Sequence, residues 1–151
     1  MMNKHMQKLT KDLVNIKNDP LDHIKIGIQE DNIMNIYCLI YGLSDDYNGG
    51  EYIFNIKLAK NHPFDPPDFY FLTPNGRFEI NKKLCFSNSS YHKSEWSPIW
   101  NLKTIILGFL SFFLENDSKG IGHIQSNNNK PQYALASKEY NQRYKEIIEL
   151  F

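Results

Sequence analysis

Glu51-Tyr52-Ile53-Phe54-Asn55-Ile56-Lys57-Leu58 is the stretch on which the fold turns. Tyr52, Phe54, Ile56 and Leu58 fall at every second position, the period of a strand with one face toward a core. Just ahead of it, Ser44 to Gly50 is a turn cluster of small, acidic and glycine residues. Further upstream, Ile33 to Tyr41 is β-branched and aromatic and His23 to Ile28 alternates, both as strands prefer. Downstream, Phe69 to Leu72 reads as a short fourth strand. Consecutive strands with short connections predict a four-stranded antiparallel meander.

Helical patterns flank these strands. Met2, Met6, Leu9, Leu13 and Ile16 recur at steps of four and three, one face of an amphipathic helix. Asn18-Asp19-Pro20 ends it, because the residue before a proline is pushed out of the α region. Lys4, Lys8, Lys11 and Lys17 occupy the other face, which reads as an ordinary solvated surface. After the strands, Leu102, Ile105, Ile106, Phe109, Leu110 and Phe113 form a wide apolar face, so that helix is expected at the centre of the core. Gly120 and Gly122 then break the chain, and Ser126 to Asn129 reads as a loop. Pro131 suits the first turn of a last helical region, which continues through Tyr140, Tyr144, Ile147 and Ile148. The order predicts a single α+β domain over residues 1–151.

Composition narrows the function classes. A chain of 151 residues fits one domain and buries a sizeable core without disulfides or metals. Hydrophobic residues make up 41% and charged residues 23%, which excludes a disordered class. Lys+Arg and Asp+Glu both number 17, so the basic excess of a general nucleic-acid binder is absent. Two cysteines, Cys38 and Cys85, make no disulfide framework and suit a reducing compartment. No apolar leader segment opens the chain. The longest apolar stretch, Ile105 to Leu114, falls short of the roughly 20 residues that span a bilayer, so the chain as given reads as soluble. The five histidines are scattered and no metal-binding spacing occurs, so no metal is expected.

The middle of the chain carries the chemistry. Asn61 to Asp68 holds Pro63, Pro66 and Pro67, and Thr73 to Trp100 has few regular periods. Its aromatics, Phe78, Phe86, Tyr91, Trp96 and Trp100, argue for a packed segment, and long irregular segments of that kind are usually functional. Cysteine is a strong nucleophile through its thiolate. Cys38 lies inside a strand pattern and reads as a small buried hydrophobe. Cys85 lies in the irregular segment, ten residues after Asn75 and eleven before Trp96. Pro74-Asn75-Gly76 is a turn by residue type, yet an amide N–H there also suits a developing oxyanion. His92 stands between Cys85 and Trp96.

In chain order these features resemble the ubiquitin-conjugating enzyme family. The matching parts are the N-terminal amphipathic helix, Gly49-Gly50 before a strand, His62-Pro63-Phe64-Asp65-Pro66-Pro67, the Pro74-Asn75 turn, Leu84-Cys85, and Trp96-Ser97-Pro98 leading into an apolar helix. Each is weak alone, but their order and spacing cover nearly the whole chain. Most of the family has a histidine where Thr73 stands and fewer residues between the asparagine and the cysteine. Thr73 to Phe78, Leu84-Cys85, His92, Trp96 to Trp100 and Gly122 to Ser126 are similar to the branch of tail-anchored enzymes acting at the endoplasmic reticulum. Two departures stand out. Lys93 and Ser94 follow His92 where the branch carries a proline and an acid, and Phe151 ends the chain where an anchored relative continues into an apolar helix.

The resemblance implies a mechanism in two steps. The Cys85 thiolate takes ubiquitin as a thioester from an ATP-dependent activating enzyme, and an amine of the protein substrate then attacks the thioester carbonyl. Serine or threonine hydroxyls are the acceptors of some members of the branch. Asn75 would stabilise the oxyanion or support the loop that covers it, and His92 is a weaker acid–base candidate. The segment Gly120 to Ser126 is a candidate wall of the site. ATP is used by the activating enzyme, so no cofactor is expected. Lys4, Lys8 and Lys11 would meet the activating enzyme and the ligase, and Phe64, Pro98 and Ile99 would form an apolar patch for a ligase of RING type. By residue type alone Phe64 is also a candidate core plug. The expected setting is the cytoplasm, or the cytosolic face of the endoplasmic reticulum if an anchor follows, with a role in protein degradation. A monomer without nucleic-acid or membrane contact is expected.

Two other classes fit parts of the chain. A ubiquitin-holding module of the same fold would lack the cysteine, whereas Cys85 and Asn75 are both present. A thiol hydrolase built on Cys85 and His92 has no third residue in evident position to orient the histidine, and leaves the proline-rich motifs unexplained.

Overall fold

A computed structural model describes residues 3–85, 96–115 and 129–151, with Cys85 described by its backbone alone. Helix α1 spans Lys4–Asn18 and is opened by Asn3, whose side chain accepts from the Met6 N–H at 2.9 Å. Strands β1 (Ile24–Gln29), β2 (Asn32–Ile40), β3 (Tyr52–Lys57) and β4 (Asp68–Phe71) follow, each within a residue or two of the alternating runs. All neighbours pair antiparallel in chain order. A fifth strand, β5 (Leu84–Cys85), extends the meander by pairing with β4. Two residues are too few to show a period, so only the pairing reveals it.

Helix α2 (Leu102–Leu114) supplies the core's second layer and buries Leu102, Ile105, Ile106, Phe109, Leu110, Phe112 and Phe113. Its start is doubly capped. Asn101 accepts from the Thr104 N–H at 2.8 Å, and Asp12 of α1 accepts from the Leu102 N–H at 3.1 Å. Helix α3 (Lys130–Asn141) carries Pro131 in its first turn, and α4 (Lys145–Ile148) follows a single 3-10 turn. The chain's last turn packs on β1, where a Cβ on Gly27 would lie 2.6 Å from the Leu150 Cβ, so only glycine fits.

Strand β3 is buried on both faces, since Ile53 and Asn55 are as enclosed as Phe54 and Ile56. Phe109 is the centre of the aromatic cluster beneath it. Its ring stacks on Phe69 at 4.1 Å and meets Phe54 at 4.9 Å and Phe71 at 5.7 Å. Phe109→Ala should cost about 3–5 kcal/mol of stability, because the rings around it cannot collapse into the space. The shift of the urea unfolding midpoint measures this.

Lys8 departs from the solvated face predicted for it. It is half-buried, and its Nζ donates to the Pro98 and Trp100 carbonyls, both at 3.1 Å. The loop before α2 lies against α1 there, which a helical wheel cannot register. Lys4 and Lys11 are exposed as predicted.

Candidate functional site

Strand β4 leads directly into the turn that holds Asn75. Gly76 has φ +82°, the left-handed region that glycine enters without penalty, and this closes the turn behind Asn75. The Asn75 side chain is fully buried. Its Nδ2 donates to the Thr73 carbonyl at 3.0 Å, and its Oδ1 accepts from the Arg77 and Phe78 N–H groups, both at 2.8 Å. Three bonds from one amide fix residues 73–78, so the geometry favours loop support over an open oxyanion donor.

Thr73 has a second task. Its hydroxyl accepts from the Ile53 N–H at 2.9 Å and donates to Asn141 Oδ1. Asn141 Nδ2 in turn donates to the Glu51 carbonyl at 2.7 Å, while Ser137 accepts from the Glu51 N–H at 2.8 Å. The Asn75 turn is thereby latched to α3 through buried polar groups. Sequence reading missed Ser137 and Asn141. With Ala134 they make up the buried residues of α3, so no apolar period marks them.

Cys85 takes the register position opposite Asp68, and Leu84 that opposite Phe69. Two ion pairs flank this edge, Lys83 with Asp68 at 3.3 Å and Lys82 with Glu79 at 2.9 Å. A cavity of about 420 Å³ lies between the Asn75 turn and α3, lined by Pro74, Phe78, Glu79 and Tyr133 among others. A roomier apolar hollow of about 600 Å³ lies away from it, between α1 and β1. Cys38 is fully buried, and burial pushes its thiol far up, so it is inert at neutral pH. His92 and the Gly120 to Ser126 wall lie outside the described residues, as do Phe86 and Tyr91.

The predicted partner residues form one patch. Phe64 is 57% exposed and Ile99 84% exposed, so Phe64 is no core plug. His5 of α1 packs edge-on to the Phe64 ring at 4.9 Å. The Trp96 indole N–H donates to the Pro63 carbonyl at 2.9 Å and ties the two loops together, while Lys8 ties Pro98 to α1. Lys4 and Lys11 lie on the same helix.

His62 lies beneath this patch with Nδ1 buried and without a hydrogen-bond partner. Burial, then the nearby charges of Lys8 and His5, hold its pKa down at about 4. In the unfolded chain it titrates near 6.5. Between those values the unfolded chain binds the extra proton, so stability falls as pH drops from about 6.5 through about 4. Thermal unfolding across that window should show the loss, and His62→Gln should flatten the slope.

Among the described residues, no group of three or more His, Cys, Asp or Glu side chains could hold a metal ion. No described helix is long and apolar enough to cross a membrane.

A meander backed by a central helix, with a braced asparagine turn ahead of a cysteine-bearing edge strand, agrees with the comparisons. The family profile described as "Ubiquitin-conjugating enzyme" matches residues 8–148. Ubiquitin-conjugating enzyme E2 J2-like of Dictyostelium discoideum is 34% identical over 145 residues, 95% of this chain and 85% of that protein. Human ubiquitin-conjugating enzyme E2 J2 is 35% identical over 147 residues, 96% of this chain but only 56% of its own length. The structure of human ubiquitin-conjugating enzyme E2 G1 superposes with a TM-score of 0.65 at 22% identity, covering 76% of this chain and 98% of that one, a likeness of fold. The chain belongs to the ubiquitin-conjugating enzyme family, a family of ubiquitin transferases.

Proposed function

We propose that Cys85 accepts ubiquitin as a thioester from the activating enzyme and passes it to a lysine of a protein substrate. The observation that carries this reading is the pairing of Leu84–Cys85 with β4, which fixes the Cys85 backbone at a sheet edge beyond the braced Asn75 turn. The inert, buried Cys38 leaves Cys85 as the thiol suited to exchange. The one catalytic domain needs no cofactor of its own, because ATP is consumed by the activating enzyme. Asn75 supports the loop, and His92 is the weaker acid–base candidate.

The ligase, of RING type, docks on Phe64, Pro98 and Ile99, with Lys4 and Lys11 steering from α1 and Lys8 bracing the loop that presents Pro98. The resemblance of Thr73 to Phe78 and Leu84-Cys85 to the tail-anchored branch supports a role in degradation at the endoplasmic reticulum, from its cytosolic face or the cytoplasm, with the chain acting as a monomer. The test is direct. Incubated with activating enzyme, ATP and ubiquitin, the protein should form an adduct that survives a non-reducing gel and disappears with reductant. Absence of any such adduct, with the activating enzyme itself charged, removes the reading.

A further inference from the structure

We propose that the open edge of β1 is a docking site for an extended peptide of a partner protein, one with apolar side chains at alternate positions and an acidic residue between them. No strand among the described residues pairs with the outer edge of β1. The Tyr41 N–H donates to the His23 carbonyl at 3.0 Å. In an antiparallel ladder, residues bonded to the neighbouring strand alternate with residues that are not. Counting from His23, Lys25 and Gly27 bond to β2, while Ile24, Ile26 and Ile28 turn their backbone N–H and C=O groups to the open edge. The hollow of about 600 Å³ lies alongside, lined by Ile26 and Ile28 of the strand and by Leu13 and Val14 of α1. Its size is that of a ligand site. A strand added to β1 would set the side chain opposite Ile26 on the Ile26 face, and so into this hollow.

The charges select the chemistry of the peptide. The residue opposite Lys25 falls on the other face of the added strand. Lys17 and Lys25 both border the hollow, and no acidic side chain does. Neither lysine has an ion-pair partner among the described residues. A lysine on an edge strand deters indiscriminate pairing. The register shift between Ile28 and Gln29 also shortens the run that can pair. An aspartate or glutamate opposite Lys25 turns that deterrent into a contact that favours one partner over others. An apolar helix could fill the hollow but would leave the edge N–H and C=O groups of β1 without partners, whereas a strand satisfies both. The lining includes no residue of the Phe64 patch or of the Asn75 turn, so this surface is separate from them.

The test titrates the full chain, isotope-labelled for NMR, with a capped peptide of about seven residues, an ordinary strand length. Valine stands at every second position, with glutamate and threonine between. Binding should be saturable, and the amide signals of Ile24, Ile26 and Ile28 should shift and exchange more slowly with solvent. A peptide of the same composition with its valines adjacent should bind at least tenfold more weakly. Ile26→Pro removes one edge donor, a change that edge strands tolerate, and should weaken binding at least tenfold. Val14→Trp, at an exposed helix position, fills the hollow and should do the same with the melting temperature unchanged. Lys25→Glu should weaken binding several-fold, most at low salt. The proposal is overturned by the absence of saturable binding, by equal affinity for the two peptides, or by undiminished binding in any of the three variants. Shifts confined to the Phe64 patch, or pairing of two copies of the chain through β1 in place of the peptide, overturn it as well.

Discussion

Replacing Cys85 with alanine should leave the chain unable to form the ubiquitin adduct, and replacing it with serine should leave an adduct that reductant no longer removes. A thiol is partly ionised near neutral pH and attacks carbonyls well, whereas a serine hydroxyl needs an adjacent base. The serine chain is therefore expected to charge more slowly. Its oxyester is also a poorer target for amines, so it should accumulate where the thioester turns over. The alanine chain has no nucleophile at the position. Cys38 offers no substitute, because its thiol is fully enclosed between β1 and β3 and burial keeps it protonated. An adduct that persists in Cys85→Ala, sensitive to reductant, would falsify the assignment.

Asn75→Ala should slow transfer to lysine by about a hundredfold, the scale on which a misplacement of about 1 Å lowers a rate, because residues 73–78 lose the bonds that fix them. The structure adds a second readout. Removing Oδ1 leaves the buried Arg77 and Phe78 N–H groups without that acceptor. Each such loss costs about 1–3 kcal/mol. Together they should lower the melting temperature by about 4–24 °C for a chain of this size. Charging should persist, since β5 is held by β4 rather than by the amide. If the amide served only as a donor to the oxyanion, transfer would fall and the melting temperature would stay. A fall in both is the signature of loop support.

The regular elements were legible because their periods are long enough to read. The end of α1 at Asn18, the four longer strands, the buried face of α2 and Pro131 in the first turn of α3 all follow from local pattern. The exposed Phe64 and Ile99 fall in the family's motifs, Phe64 in the proline-rich stretch and Ile99 beside Pro98. What escaped was tertiary. Strand β5 exists only through its partner. The bond from Thr73 to Asn141 joins residues 68 apart, and no local period marks either. Lys8 reads as solvent-facing until a loop some ninety residues away lies against it. Gly27 gives no sign in sequence that the last turn of the chain will sit on it.

The patch around Phe64 has a topological consequence. Its braces join residues 33, 90 and 92 positions apart, through Trp96 to Pro63 and Lys8 to Pro98 and Trp100. Each such contact closes a long loop of chain, the kind of pairing that slows folding. An incompletely folded chain would carry the same residues without the surface. The exposed setting of Phe64 and Ile99 is therefore a property of the finished fold and not of either loop alone.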